Sequence, residues 1–275
     1  MTNLTTQLMP DSRRLLEVHE HAMPQKDELC GAFWSSLVVS ILTHRHVSQE
    51  EAAVAAGTRL SSTPDPESLP PGEDGRRDYS VELPTTPDAS LAGTAPKGIV
   101  ESLYSLSEGL ITGLPIRGPW SEETVLKLVA FGCRQQHAVL VLNVATAFLW
   151  GTHPRWSDVT GYLLGEQFVA PQAEWDVGHF VGVVGTVAGP GRTLVMCADT
   201  YPSLGVGGVH VQPPSAIASA LRRDGRTTLG GAILVVPTEV APSMEEMIIS
   251  AGFEVGFWGN GVPDPGAGCS VDLKN

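Results

Sequence analysis

The chain has 275 residues, 42% of them hydrophobic, which is enough apolar material for a sizeable core in one or two domains. Against 17 Lys and Arg stand 30 Asp and Glu, a formal net charge of −13 that repels phosphate backbones and anionic membranes and so argues against nucleic-acid binding. A neutral or basic peptide is the more compatible partner.

The opening "MTNLTTQLMPDSRRLLEVHEH" lacks the basic-then-apolar order of a signal peptide. Residues 11–20 read as a short helix leading into the Pro24 turn. From Cys30, "CGAFWSSLVVSILTH" sets Phe33, Leu37, Val38 and Ile41 at helical spacing and predicts a buried helix. "VSQEEAAVAAGTRL" predicts a second one, with Ser48 as N-cap, Glu51 completing a capping box and Gly57 as the stop. Residues 61–90 are rich in Pro, Ser, Asp and Gly, and predict a surface loop or partly disordered insertion. Helices follow in "APKGIVESLYSLSEGL" and in "SEETVLKLVAFGCRQQ", the latter started by Ser121 with Glu122 and Glu123 in its first turn.

The period then changes. "AVLVLNVATAFLW" reads as a buried strand, and it is too short to cross a bilayer as a helix. "GHFVGVVGTV" and "RTLVMCADTY", separated by the turn signal "AGPGR", predict an antiparallel hairpin. "AIASALRR" is helical, and "GGAILVVP" and "FEVGFWG" are further strands. The expected class is α+β: a helical lobe over about 11–135 interrupted by the loop of 61–90, a mostly antiparallel sheet lobe over about 136–260, and a tail of 261–275. The four cysteines, Cys30, Cys133, Cys197 and Cys269, are scattered without a C-x-x-C, which suits free thiols in a reducing cytoplasm.

A nucleophilic cysteine needs a device that favours thiolate, and a helix N-terminus is one. Cys30 stands where its helix begins, and Gly31 is expected to let a substrate backbone approach. A histidine able to accept the proton is a second device. Of the eight histidines, His179 opens a strand beside Gly178, which is expected to leave its ring accessible. Asp199 ends the neighbouring strand of the hairpin and would meet His179 at one end of the sheet, orienting the ring through its other nitrogen. Asp176 is the runner-up for that role. The pairs His19/His21 and His44/His46 fall in or beside helices, where a spacing of two diverges, so no metal site is expected from them, and no cofactor is called for. Cys133 and Cys197 read as core thiols, and Trp34, Trp150, Trp156 and Trp175 as core or groove wall.

Taken together, "QKDELCGAF", "EEAAVAAGT", "GTAPKGIVESL", "GHFVGVVG" and "CADTYPSLG" resemble, in order, the papain-like cysteine peptidases. The closer likeness is to the bacteriocin-processing branch that cuts double-glycine leader peptides. "ADTYPS" stands where that family usually has Asp-Pro. The resemblance implies a papain-like fold with Cys30 as nucleophile, His179 as general base, Asp199 as its orienting partner and Gln25 as oxyanion-hole donor. It implies peptide cleavage through a thioester, with the leader of a ribosomal peptide natural product as substrate. Two alternatives stay open: an acyltransferase or peptide cyclase using the same thioester, and a catalytically silent module that grips leader peptides. The oligomeric state is left open.

Overall fold

The computed structural model describes residues 4–167 and 169–265. Strand β1 (Thr5–Leu8) precedes helices α1 (Ser12–Ala22), α2 (Cys30–Thr43) and α3 (Gln49–Ala55). The loop that follows carries the short pair β2 (Leu60–Ser61) and β3 (Thr85–Thr86), and then come α4 (Pro96–Leu106), β4 (Ile111–Arg117) and α5 (Glu122–Gly132). The second half runs β5 (Val139–Ala145), α6 (Trp156–Leu164), β6 (Gly178–Ala188), β7 (Thr193–Ala198) and β8 (Val209–Gln212). It closes with α7 (Pro214–Arg222), β9 (Gly231–Pro237), α8 (Ala241–Ser250) and β10 (Glu254–Val255).

Among the described residues the main sheet has eight strands, in the order β10-β4-β9-β5-β6-β7-β8 with β1 beside β6. All its pairings are antiparallel, so the protein is α+β. Alternation along the central strands feeds two cores. Val139 and Val141 of β5, with Ile233 and Val235 of β9, pack with Phe33, Trp34 and Leu37 of α2 and Leu103 of α4. Leu140, Leu142 and Val144, with Leu234 and Val236, pack with Leu128 of α5, Leu221 of α7 and Ile248 of α8. Strands buried on both faces account for their unbroken apolar runs.

The helix signals behave as read. Ser48 and Glu51 form a reciprocal capping box, and Ser121 forms one with Thr124. Gly57, just past α3, has φ of +63°, the left-handed region glycine tolerates best. The lobe boundary differs from expectation. β1 and β4 lie before residue 136 yet belong to the same sheet, β4 pairing with β9 from Ile111 to Ile116. In "ITGLPIR", Gly113 and Pro115 interrupt the strand pattern, so only the pairing across the chain makes that segment a strand. Of the tail at 261–275, all beyond residue 265 lies outside the described residues. Among the described residues no helix is long and apolar enough to cross a membrane.

The packing of α2 on β6 sets the position of the site. Trp34 is 1% exposed, and its Nε1 donates to the Phe180 carbonyl at 2.9 Å. Gly182 makes room for the indole: a Cβ there would stand 2.1 Å from a ring carbon of Trp34. Cys30 lies four residues, one helical turn, before Trp34, and His179 lies one residue before Phe180, so this contact fixes both. Gly182→Ala is expected to overpack the contact and destabilise the fold by roughly 2–3 kcal/mol, read as a lowered midpoint in urea unfolding.

Candidate active site

α2 begins at Cys30, and no side chain caps its N-terminus. The positive end of the helix therefore lies at Cys30, and its first N–H groups meet no capping side chain. The Cys30 thiol and the His179 ring line the same cleft, near enough for the sulfur to act electrostatically on the imidazole. His179 Nε2 donates to Asp199 Oδ1 at 2.8 Å and lies 3.3 Å from Thr200 Oγ1. That occupation leaves Nδ1 as the ring nitrogen available to Cys30. The ring is 2% exposed and Asp199 likewise. Trp175 meets the imidazole edge-on at 4.8 Å between centroids, and Tyr201 stacks on it at 6.4 Å. His179 is thus covered, not accessible as Gly178 had suggested.

Burial alone would lower the His179 pKa. The Asp199 carboxylate and the Cys30 sulfur outweigh it and push the value up to about 10. Burial likewise disfavours charge on Asp199, but His179 and a second imidazole, His210, hold its carboxyl well below the usual range. Every polar atom of Asp199 is bonded. Its N–H donates to Gly208 O at 2.7 Å, its carbonyl accepts from His19 Nε2, and Oδ1 also accepts from Thr200 N–H at 2.7 Å. Oδ2 accepts from His210 Nε2 at 3.2 Å, and Gln212 Nε2 donates to His210 Nδ1 at 3.2 Å. Gln212 in turn clasps both the N–H and the carbonyl of Trp150, at 2.7 and 3.0 Å. A buried polar chain therefore runs from His179 to the Trp150 backbone.

Gln25, 4% exposed, lines the same cleft as Cys30 and His179. Its N–H donates to Thr200 O at 3.0 Å, which ties it to the Asp199 turn. Its side-chain Oε1 is buried without a partner among the described residues. The cleft has a volume of about 510 Å³, within the range of small-molecule and peptide-fragment sites. Three of the four residues singled out from the sequence, Gln25, Cys30 and His179, thus line one cleft, and the fourth, Asp199, bonds to His179 from behind it.

The chain belongs to a family of unknown function, DUF6885. The family profile matches residues 9–259 and so spans Gln25, Cys30, His179 and Asp199. No curated protein matches the chain.

Several neighbours of the site depart from the sequence reading. Gly31 does not open space for substrate: a Cβ there would stand 2.8 Å from Thr94 Cβ, so the glycine lets Thr94 pack against the start of α2. Asp176 pairs with Arg226 and not with His179. His19 is buried on the Asp199 turn and stacked on Trp34, while both ring nitrogens of His44 face Arg14. Among the described residues no group of three or more His, Cys, Asp or Glu side chains is placed to hold a metal ion. Cys133 and Cys197 are buried, and burial pushes both thiols up; Cys269 lies outside the described residues.

The loop of 61–90 is a working wall of the site, not a loose insertion. Arg76 N–H donates to Asp27 Oδ1 at 2.7 Å, Asp27 N–H to Arg76 O at 3.0 Å, and Tyr79 Oη–H to Asp27 O at 3.0 Å. Trp175 Nε1 donates to Ser68 O at 3.1 Å. The loop therefore holds both the segment between Gln25 and Cys30 and the aromatic cover over His179. Its polar composition hid this role because the bonds are made by backbone groups and by partners distant in sequence.

Proposed function

We propose that this protein is a cysteine peptidase with a papain-like arrangement, acting on a peptide through a Cys30 thioester. The observation that carries the reading is the His179–Asp199 bond at 2.8 Å with Cys30 and His179 on the wall of one cleft, where carboxylate and sulfur together raise the imidazole pKa. An ion pair of thiolate and imidazolium is the reactive form of such a site.

Cys30 thiolate attacks the scissile carbonyl carbon, forming the S–C bond while the carbonyl electrons move to oxygen. The Gln25 side-chain amide and the Cys30 backbone N–H receive that oxyanion; one such donor is worth about 3–4 kcal/mol of barrier. His179 gives its proton to the amine as the C–N bond breaks. The neutral imidazole then takes a proton from water, whose oxygen attacks the thioester and releases the acid, restoring Cys30 and His179. Asp199 keeps the ring in the tautomer that presents Nδ1 to sulfur, and His210 with Gln212 holds Asp199. The order of the five quoted segments supports a leader peptide of a ribosomal natural product as substrate.

The test is product analysis by mass spectrometry after incubating the full chain with a peptide mixture. Fragments whose masses sum to a substrate plus one water are expected from wild type and absent with Cys30→Ala. A mass-conserving ring or amide adduct would instead identify an acyltransferase, and identical products from both proteins would overturn the catalytic reading. A positioning role for His210 predicts that His210→Phe slows turnover roughly tenfold and lowers the alkaline limit of the rate profile, while His210→Gln, able to donate to Asp199, recovers part of both.

A further inference from the structure

We infer that Arg223 forms a receptor for a substrate carboxylate beside Cys30, so that the peptides accepted carry an acidic group next to the bond attacked. This rests on the peptidase reading and specifies its substrate class.

Three arginines follow one another around the end of α7, and two have an acidic partner. Arg222 pairs with Asp224 at 3.0 Å, and Arg226 pairs with Asp176. Arg223 has none among the described residues, although it is the most buried of the three, at 3% exposure. Its guanidinium bonds go to neutral acceptors: Nη1 to Thr228 Oγ1 at 3.1 Å, and Nη2 to Asn143 Oδ1 at 2.7 Å and Val144 O at 3.4 Å. Nε is buried with no partner among the described residues. A buried cation without a counter-charge is costly, and it is held here by a residue whose own backbone is left-handed, with φ of 54°.

The location makes that charge useful. Arg223 lines the cleft together with Cys30 and His179. A Cβ on Gly178, the residue before His179, would stand 3.8 Å from both Nη1 and Nη2. Asn143, which accepts from Arg223, also donates to the His179 carbonyl at 3.2 Å, so the cation is tied to the base's own backbone. Burial, then the neighbouring Arg226, lower the Arg223 pKa to about 10, while the Cys30 sulfur opposes them. Arg223 thus stays charged at neutral pH and feels the reacting sulfur.

The acids of the cleft are already engaged. Glu28 accepts from Ser61 N–H, Asp65 from Glu67 N–H at 3.0 Å, and Asp176 faces Arg226. Glu28 and Asp65 keep their charge on those neutral donors, so the positive charge is local to Arg223, at the wall that carries Gly178 and His179. A carboxylate arriving with the substrate would supply the missing counter-ion and take a bidentate pairing that an ammonium cannot offer.

The experiment compares alkylation of Cys30 in the full chain by iodoacetate and by neutral iodoacetamide, in each case thiolate sulfur displacing iodide. The ratio of the two rates is expected to fall about 5–10-fold in Arg223→Met and to be recovered only in part in Arg223→Lys, which supplies the charge without the fork. Equal loss toward both reagents would mean that Arg223 serves only the thiolate, and would overturn the proposal. Wild-type protein gives an independent reading if the variants fail to fold. Peptides differing as Asp against Asn, or as C-terminal acid against C-terminal amide, are tested for protection of Cys30 from iodoacetamide. Stronger protection by the acid of either pair supports the receptor and tells which carboxylate it takes; equal protection within both pairs overturns it. Absence of any preference for Cys30 over Cys133 and Cys197 would instead remove the peptidase reading, and the receptor with it.

Discussion

Cys30→Ala is expected to reduce turnover by more than about 10³-fold while lowering the melting temperature by only a few degrees. The sulfur is one atom at the edge of the α2 core, and its loss leaves a small void. A collapse of stability comparable to a Phe→Ala core deletion would return Cys30 to the class of packing thiols. In wild type, iodoacetamide at neutral pH should mark Cys30 ahead of Cys133 and Cys197, whose thiols burial holds protonated. His179→Ala should slow that labelling at least tenfold, because the imidazolium that stabilises the thiolate is gone. Undiminished labelling in the variant would favour the silent binding module over the enzyme.

The same imidazolium sets the alkaline side of the rate profile. With the His179 pKa pushed up to about 10 by Asp199 and Cys30, the proton needed for the leaving amine persists through neutral and mildly alkaline solution. Turnover should begin to fall only as pH nears that value. An alkaline limb near 6.5, the ordinary histidine range, would show that the carboxylate does not support the ring.

The local part of this architecture is legible in the residues. Cys30 at a helix start, the Ser48–Glu51 box and the hairpin that brings His179 to Asp199 all rest on short-range physics, on caps, periodicity and turn chemistry. What the sequence withholds depends on pairing across the chain. β4 becomes a strand because β9 and β10 flank it, despite Gly113 and Pro115. Asn143 looks like one polar interruption in an apolar strand until Arg223, Trp258 and the His179 carbonyl converge on it. His210 and Gln212 carried a faint signal, since two polar residues alternate with valines in "VHVQ" and share one strand face. Nothing local connects that face to Asp199. Gly31 and the loop of 61–90 show the converse: composition suggested openness and disorder, and the fold uses both for packing.

Asp199→Ala should be the most damaging single change to the fold near the site. The carboxylate accepts from two imidazoles and one backbone N–H in a region closed to water. Removing it strands three buried donors, and breaking a buried ion pair from one side costs roughly 3–5 kcal/mol. For a chain of this size that corresponds to a loss of roughly 10 °C in melting temperature. Asp199→Asn keeps the volume and one acceptor, so it should cost less stability yet still lower turnover by roughly 10²–10⁴-fold, because the amide can present a donor to the ring and reverse its tautomer. The pH dependence separates the charge from the shape. Asp199, depressed in the folded state, contributes stability above the ordinary carboxylate range that is lost as pH falls through its folded value. His179, raised, contributes stability fully present below about 6.5 that is lost as pH climbs toward about 10. Wild type should therefore be most stable between those limits, and Asp199→Asn should flatten both slopes. Unaltered slopes in the variant would mean that the His179–Asp199 contact is a hydrogen bond between neutral groups, and the thiolate would lose its cation.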